Sequence, residues 1–302
     1  QLGTGHAVAQ VLPALDPLQL VLILFGDVPL ISQATLLSLL EAAQPSGFAL
    51  LTAVLAEPTG YGRVLRDEAG KILKIVEHKD ATPEQRTVKE INTGIIVIKG
   101  EYLHRWLPQL ANNNVQGEYY LTDCVERAEA ENIKVAGVMA RSEAEITGVN
   151  DRVQLASLER AYQWAQAEAL MRSGVTLADP ARLDVRGNLH CDADTFIDVN
   201  CVFEGDVKLG AGARIGPNCV IKNAVLSDGV EVLANSLIEG ATIGSGARIG
   251  PFARIRPDTV LDAGVHVGNF VEIKKSHLGE HSKANHLAYI GDAEIGRNVN
   301  VG

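Results

Sequence analysis

From Ile243 to Ile273 an aliphatic residue returns at every sixth position, through Ile249, Ile255, Leu261 and Val267. Glycine follows the anchor directly in Ile243-Gly244, Ile249-Gly250 and Val267-Gly268, and upstream in Leu209-Gly210 and Ile215-Gly216. Each six-residue piece is one short strand plus a turn. It cannot bury its own anchor and must stack on the pieces above and below, so the spacing predicts a parallel β-helix. Upstream, Ile197, Phe203, Leu209, Ile215 and Ile221 begin the beat. It slips between Lys222 and Ile238 and again after Ile273, where Leu278 follows five residues on. Such slips are expected to mark loops or shortened coils.

The first half is patterned differently. Leu20 to Phe25 is a continuous apolar run closing on Gly26-Asp27, expected as a buried parallel strand that delivers a polar residue at its carboxyl end. Residues 33–43 read as a helix, Ala49 to Leu55 as a strand, and the stretch from Gly60 through Val76 as two strands joined by a hairpin at Asp67 to Gly70. Gly94 to Ile98 and Lys134 to Met139 are further strand candidates with helical stretches between them. The alternation predicts a doubly wound, Rossmann-like α/β domain. Residues 152–172 form a helix candidate with Leu155, Leu158, Tyr162, Ala165, Ala169 and Leu170 on one face and Gly174 as its stop. The expected organisation is an α/β domain over 1–151, a linker helix over 152–173 and a β-helix over 174–302.

Length allows two cores in 302 residues, and 11 prolines with modest charge exclude a disordered chain. The net charge of −10 argues against non-specific nucleic-acid or anionic-membrane binding and leaves small phosphorylated ligands as partners. Cys124, Cys191, Cys201 and Cys219 lack metal-like spacing and read as reduced thiols. No apolar stretch approaches the roughly 20 residues that cross a bilayer, and no signal peptide is visible, so a cytoplasmic protein is expected. The chain starts at Gln1 and stops at Gly302 in mid-repeat, which reads as a fragment of a longer protein.

Two regions hold candidate chemistry. Asp27, at a strand's carboxyl end beside glycine, suits either a hard cation such as Mg²⁺ or a helix cap. Asn150 can add a second oxygen or merely form a turn. The loop Gln1-Leu2-Gly3-Thr4-Gly5-His6 offers backbone amides to a phosphate or base edge. In the repeats, Arg254, Arg256, Lys274, Lys275 and Lys283 fall in consecutive coils and can converge on an anion. His286, near these bases and near Glu272, reads either as a general base oriented by that carboxylate or as a satisfied surface residue.

Long motifs carry a resemblance over nearly the whole chain. They are Gln1-Leu2-Gly3-Thr4-Gly5-His6-Ala7, Phe25-Gly26-Asp27-Val28-Pro29-Leu30, Pro58-Thr59-Gly60-Tyr61-Gly62-Arg63, Ile75-Val76-Glu77-His78-Lys79-Asp80, Glu90-Ile91-Asn92-Thr93-Gly94 and Gln116-Gly117-Glu118-Tyr119-Tyr120-Leu121-Thr122-Asp123. The repeats add Gly250-Pro251-Phe252-Ala253-Arg254-Ile255-Arg256-Pro257, Val267 to Lys275 and His286 to Gly291. In these the chain resembles the bacterial bifunctional family of N-acetylglucosamine-1-phosphate uridylyltransferase and glucosamine-1-phosphate acetyltransferase.

The resemblance implies that Gln1, Gly3, Thr4, Phe25, Gly26, Asp27, Gly62, Glu77, Asn92 and Asn150 contact the uridine nucleotide or its sugar, with Asp27 and Asn150 on Mg²⁺. It implies that Arg256, Lys274, Tyr289 and Asn300 hold glucosamine-1-phosphate and that His286 takes a proton from its amine as it attacks acetyl-CoA. The acetylated product then meets UTP in the first domain. It further implies a left-handed β-helix and a homotrimer.

The family's glycine-rich triphosphate loop and its later coils are not found in this sequence, so the fragment itself is expected to lack uridylyl transfer. Phe25 stands where the family often has tyrosine. Two other readings are open at this stage: a sugar-nucleotide pyrophosphorylase with a regulatory or oligomerising hexapeptide tail, and a catalytically silent trimeric scaffold.

Overall fold

The computed structural model describes residues 2–302 and divides into two compact units, Gln1–Leu158 and Glu159–Gly302. The first is a six-stranded sheet between two helical layers. Its strands are β1 (Leu20–Ile23), β2 (Phe48–Val54), β3 (Arg63–Arg66), β4 (Ile72–Val76), β5 (Glu90–Lys99) and β6 (Ala136–Met139), in the order β4-β3-β5-β2-β6 with β1 also on β5. Side chains alternate across β2 and β5. Phe48, Leu50, Ile96 and Ile98 enter one core with Leu103, Trp106 and Val125, whereas Ala49, Leu51, Ile95 and Val97 enter the other with Leu39 and Ala43. Helix α1 (Thr4–Ala9) contributes Val8 and Ala9 to the first core, and α2 (Gln33–Ala43) covers the second.

The α/β class stands, but the sheet is mixed. Only β2 and β6 pair in parallel, while β1, β2 and β3 all run antiparallel to β5. The run expected as a fully buried parallel strand is the half-buried β1, because β5 is its sole partner among the described residues. An apolar run does not distinguish a central strand from one paired on a single side.

The second unit is a parallel β-solenoid whose coils present three faces. One face stacks strands bearing Phe203, Ile221, Ile238, Ile255, Ile273 and Ile290; the next carries Leu209, Leu226, Ile243, Leu261 and Leu278; the third carries Ile197, Ile215, Val232, Ile249, Val267 and Ala284. All of these side chains are buried in one continuous core. The beat does not lapse between Lys222 and Ile238, since Leu226, Val232 and Ile238 occupy its positions. The irregularities are single-residue shortenings at one corner, between Ile221 and Leu226, Ile238 and Ile243, Ile273 and Leu278, and Ile290 and Ile295. The other two corners keep six residues throughout. One residue can leave a corner without turning any strand over, whereas a loss inside a strand would exchange its two faces.

Each corner needs a left-handed backbone. Gly212, Gly229, Gly246 and Gly264 supply it at one of them. At another the first three coils use Asn200, Asn218 and Asn235, with the Asn200 amide donating to Asn218 at 2.9 Å, and the next three use Phe252, Phe270 and Leu287. Bulky residues are costly in this region, and these are 49%, 57% and 77% exposed, with the two phenyl rings stacked at 5.2 Å.

Helix α3 (Arg152–Arg172) does not bury the expected face. Leu155 and Tyr162 are 53% and 40% exposed, and the buried positions are Leu158, Gln163 and Ala167. The reason is polar: Gln163 accepts a hydrogen bond from Val185 N–H at 2.8 Å and donates to its C=O at 2.9 Å, capping the end of the solenoid. A hydrophobicity pattern cannot reveal a buried glutamine.

Truncating an anchor tests the stacking. Ile249→Ala should cost about 2–5 kcal/mol by chemical denaturation, while Val260→Ala, on an outward position of the same repeats, should cost no more than about 0.5 kcal/mol.

Candidate functional site

In the α/β unit, Thr4, Phe25, Gly62, Glu77 and Asn92 line one cavity of about 270 Å³ together with Tyr61, Thr93, Gly94 and Thr122. Local backbone explains the convergence. Residues 2–5 lie along residues 119–121, with Tyr119 N–H donating to Leu2 O, Gly5 N–H to Tyr119 O and Leu121 N–H to the Thr4 hydroxyl. Gly3 has φ +97°, and a Cβ there would strike the Tyr119 backbone. Gly94 has φ +84°, and a Cβ there would strike the Phe25 ring, so this glycine lets the ring fold over the cavity. Gln1 lies outside the described residues.

The cavity holds unsatisfied polarity. Asn92 is 7% exposed and its Oδ1 has no hydrogen-bond partner, an arrangement that costs free energy until a ligand donates to it. Glu77 receives the Thr122 hydroxyl at 3.0 Å. Burial pushes its carboxyl above the ordinary range, the Thr122 hydrogen bond opposes this, and Asp80 and Glu118 add to the rise. Behind Glu77 lies a second, acidic cavity lined by Asp80, Asp123 and Glu126. There burial, with Glu126, Glu77 and Asp80, raises Asp123 to about 6.

Gly26 and Asp27 are exposed. The Asp27 C=O accepts from Val149 N–H at 2.8 Å, which sets Asn150 beside it. Neither the Asp27 carboxylate nor the Asn150 amide side chain has a hydrogen-bond or ion-pair partner among the described residues, where no group of three or more His, Cys, Asp or Glu forms a metal cluster. One free carboxylate and one amide oxygen fit Mg²⁺, which takes few protein ligands and completes its shell with water and phosphate. The loop is pinned by Glu145. Burial would raise that carboxyl, but hydrogen bonds from Ser32, Arg141 N–H and Thr35 hold it below its ordinary range and tie the start of α2 to the strand leading to Asn150.

In the solenoid, Arg254, Glu272 and Tyr289 are register partners in consecutive coils. Arg256 donates to Glu272 Oε1 at 2.9 Å, and Arg254 lies 3.9 Å from the same oxygen. Lys274 lies one coil from Gly291, where a Cβ would strike the Tyr289 phenol, so that ring lies over Gly291. Lys274 and Lys275 both approach Asp292, at 4.0 and 3.3 Å.

His286 pairs in register with Asn269 at the end of a neighbouring strand, three residues before Tyr289. It is exposed and its imidazole has no hydrogen-bond partner among the described residues, while Glu272 is engaged with Arg256 and does not orient the ring. Asn300 lies in the following coil, in register with Lys283. Thr122 and Asp123, which sequence reasoning quoted in a motif without a role, turn out to flank Glu77. Their spacing along the chain carries no signal of that proximity.

An α/β unit with a small cavity of unsatisfied polar groups, followed by a hexapeptide solenoid with a basic patch, defines the class of two-unit chain to which comparison can be made. The family model described as the GMPPB C-terminal domain matches residues 185–278. Proteins named Bifunctional protein GlmU from Cupriavidus pinatubonensis and Burkholderia thailandensis are each 55% identical over all of this chain, covering 66% and 67% of those proteins, and the one from Paraburkholderia phytofirmans is 56% identical and covered to 67%. The chain thus spans about two thirds of the length of these curated relatives. The N-acyltransferase AntD from Bacillus cereus is similar over 36% of this chain and 77% of its own, at 14% identity and a TM-score of 0.33. The chain belongs to the family of bifunctional GlmU proteins.

The raised Asp123 makes stability depend on pH. Its folded pKa lies above its unfolded value, so folding favours the protonated form, and that contribution is lost as pH rises from about 4 to about 6. Asp123→Asn should therefore match the parent near pH 4 and exceed it increasingly up to pH 7, by ~2 kcal/mol, in denaturation at each pH.

Proposed function

We propose that the full protein makes UDP-N-acetylglucosamine in two steps, one in each unit. The solenoid acetylates glucosamine-1-phosphate with acetyl-CoA, and the α/β unit then transfers UMP from UTP to N-acetylglucosamine-1-phosphate with release of pyrophosphate. The observation that carries this reading is the convergence of Thr4, Phe25, Gly62, Glu77 and Asn92 on one cavity with an orphaned amide oxygen, in a chain that also holds a basic patch in its repeats.

In the α/β unit Gln1, Gly3, Thr4, Phe25, Gly26 and Gly62 line the nucleotide, and Glu77 and Asn92 accept hydrogen bonds from the sugar. Asp27 and Asn150 hold Mg²⁺, which when bound neutralises phosphate charge. Nucleotidyl transfer asks chiefly for positioning and charge neutralisation, and these residues bind and orient without covalent participation.

In the solenoid Arg256, Lys274, Tyr289 and Asn300 bind the sugar phosphate, with Glu272 fixing Arg256. His286 removes a proton from the substrate ammonium, since only the neutral amine attacks the thioester. An exposed imidazole without a partner is free to meet that amine. The exposed apolar corner of Phe252, Phe270 and Leu287 supports assembly of copies through the repeats, and we assign a homotrimer. Among the described residues no helix is long and apolar enough to cross a membrane. We assign the protein to the cytoplasm as part of this proposal.

In the full-length protein, His286→Ala should reduce acetyl transfer by about 10²–10⁴-fold and leave uridylyl transfer unchanged. Asp27→Ala should do the reverse, measured as Mg²⁺-dependent pyrophosphate release. Full acetyl transfer by His286→Ala would favour a tail that only regulates or oligomerises.

A further inference from the structure

Thr122 is buried in the lining of one cavity, which shares Glu77 with a second, acidic one. On one side is the pocket of Asn92 and Gly62; on the other are Asp80, Asp123 and Glu126. The Thr122 hydroxyl donates to Glu77 Oε1 at 3.0 Å, and the other carboxylate oxygen lies toward Gly62, where a Cβ would come within 3.2 Å of Oε2. The carboxylate is therefore held by one oxygen and offered to the pocket by the other.

From this geometry we propose that Thr122 is a positioning residue for sugar recognition: it fixes the Glu77 carboxylate as an acceptor facing the pocket and keeps it from turning toward the acidic cavity. The inference rests on the reading of Glu77 as a ligand of the sugar nucleotide.

The electrostatic surroundings explain why such a device is needed. The charged groups that shift Glu77 are acidic, since Asp80 and Glu118 raise it and Asp123 and Tyr120 are raised by it in turn, while Lys74 in the same cavity lies 3.7 Å from Glu126. The Tyr120 hydroxyl is spent on Asp80 at 3.1 Å, so it cannot serve Glu77 in the same way. Among the described residues, Thr122 is thus the side chain that donates to this carboxylate. A hydrogen bond to a charged group favours the charged form. Its loss should both loosen the carboxylate and make it easier to protonate.

The test is steady-state uridylyl transfer by the full-length protein, with N-acetylglucosamine-1-phosphate varied at saturating UTP and Mg²⁺. Thr122→Val keeps the shape and removes the donor. It should raise KM for the sugar phosphate roughly tenfold while kcat stays within about threefold. It should also move the acid limb of kcat/KM to higher pH, an effect that a merely structural role would not produce. Thr122→Ser should restore both values. Thr122→Ala removes the same hydroxyl with less bulk and serves if the valine variant does not fold.

A parental KM and acid limb in the hydroxyl-free variants, or a serine variant as impaired as valine, would overturn the proposal. Glu77→Gln separates the two levels. If it leaves KM unchanged, the reading of Glu77 itself falls; if it raises KM while Thr122→Val does not, only the positioning role falls.

Discussion

Everything in the second unit depends on one aliphatic anchor lying directly over the next. A coil of this size has no core of its own, and burial of each isoleucine, leucine or valine is worth about 1.5–3 kcal/mol only if its neighbours stay in register. This constraint explains why length variation is confined to one corner. There a residue is dropped between Ile221 and Leu226, between Ile238 and Ile243, between Ile273 and Leu278 and between Ile290 and Ile295, and the strands on either side keep their faces.

The same constraint fixes the surface. Outward positions stack as strictly as inward ones, so Arg254, Glu272 and Tyr289 form a column without any contact chosen for that purpose. Arg256 and Lys274 lie just past their anchors, beside the variable corner, and this is where Arg256 reaches Glu272 at 2.9 Å. Half-exposed ion pairs of this kind add little stability. What they do is hold the cationic groups of neighbouring coils in fixed places on a rigid stack.

Much of this was legible in the sequence, for a physical reason: a period of six repeated without interruption has few other causes. The α/β class was legible too, from alternating segments. Strand direction was not, because β1 shows the same apolar run whether its neighbour is parallel or antiparallel. The buried face of α3 was hidden because Gln163, a polar residue, does the capping. Motifs singled out Glu77, Asn92 and His286, but that Thr122 donates to Glu77, or that Glu272 pairs with Arg256 and not with His286, emerges only from the folded chain. Contacts across 45 residues of chain leave no periodic trace.

The central claim is that coil register, and not the number of residues, holds the solenoid and its basic patch together. Single deletions test it directly. Removing Pro257, between Ile255 and Leu261, shortens the tolerant corner to the length already seen in adjacent coils. Removing Ala234, between Val232 and Ile238, shortens a corner that keeps six residues in every coil. Cooperative thermal unfolding of the two proteins should differ: the Pro257 deletion is expected to retain a single transition within a few degrees of the parent, and the Ala234 deletion to lose it or fall far below. Equal tolerance of both deletions, or collapse of the Pro257 deletion alone, would contradict the account.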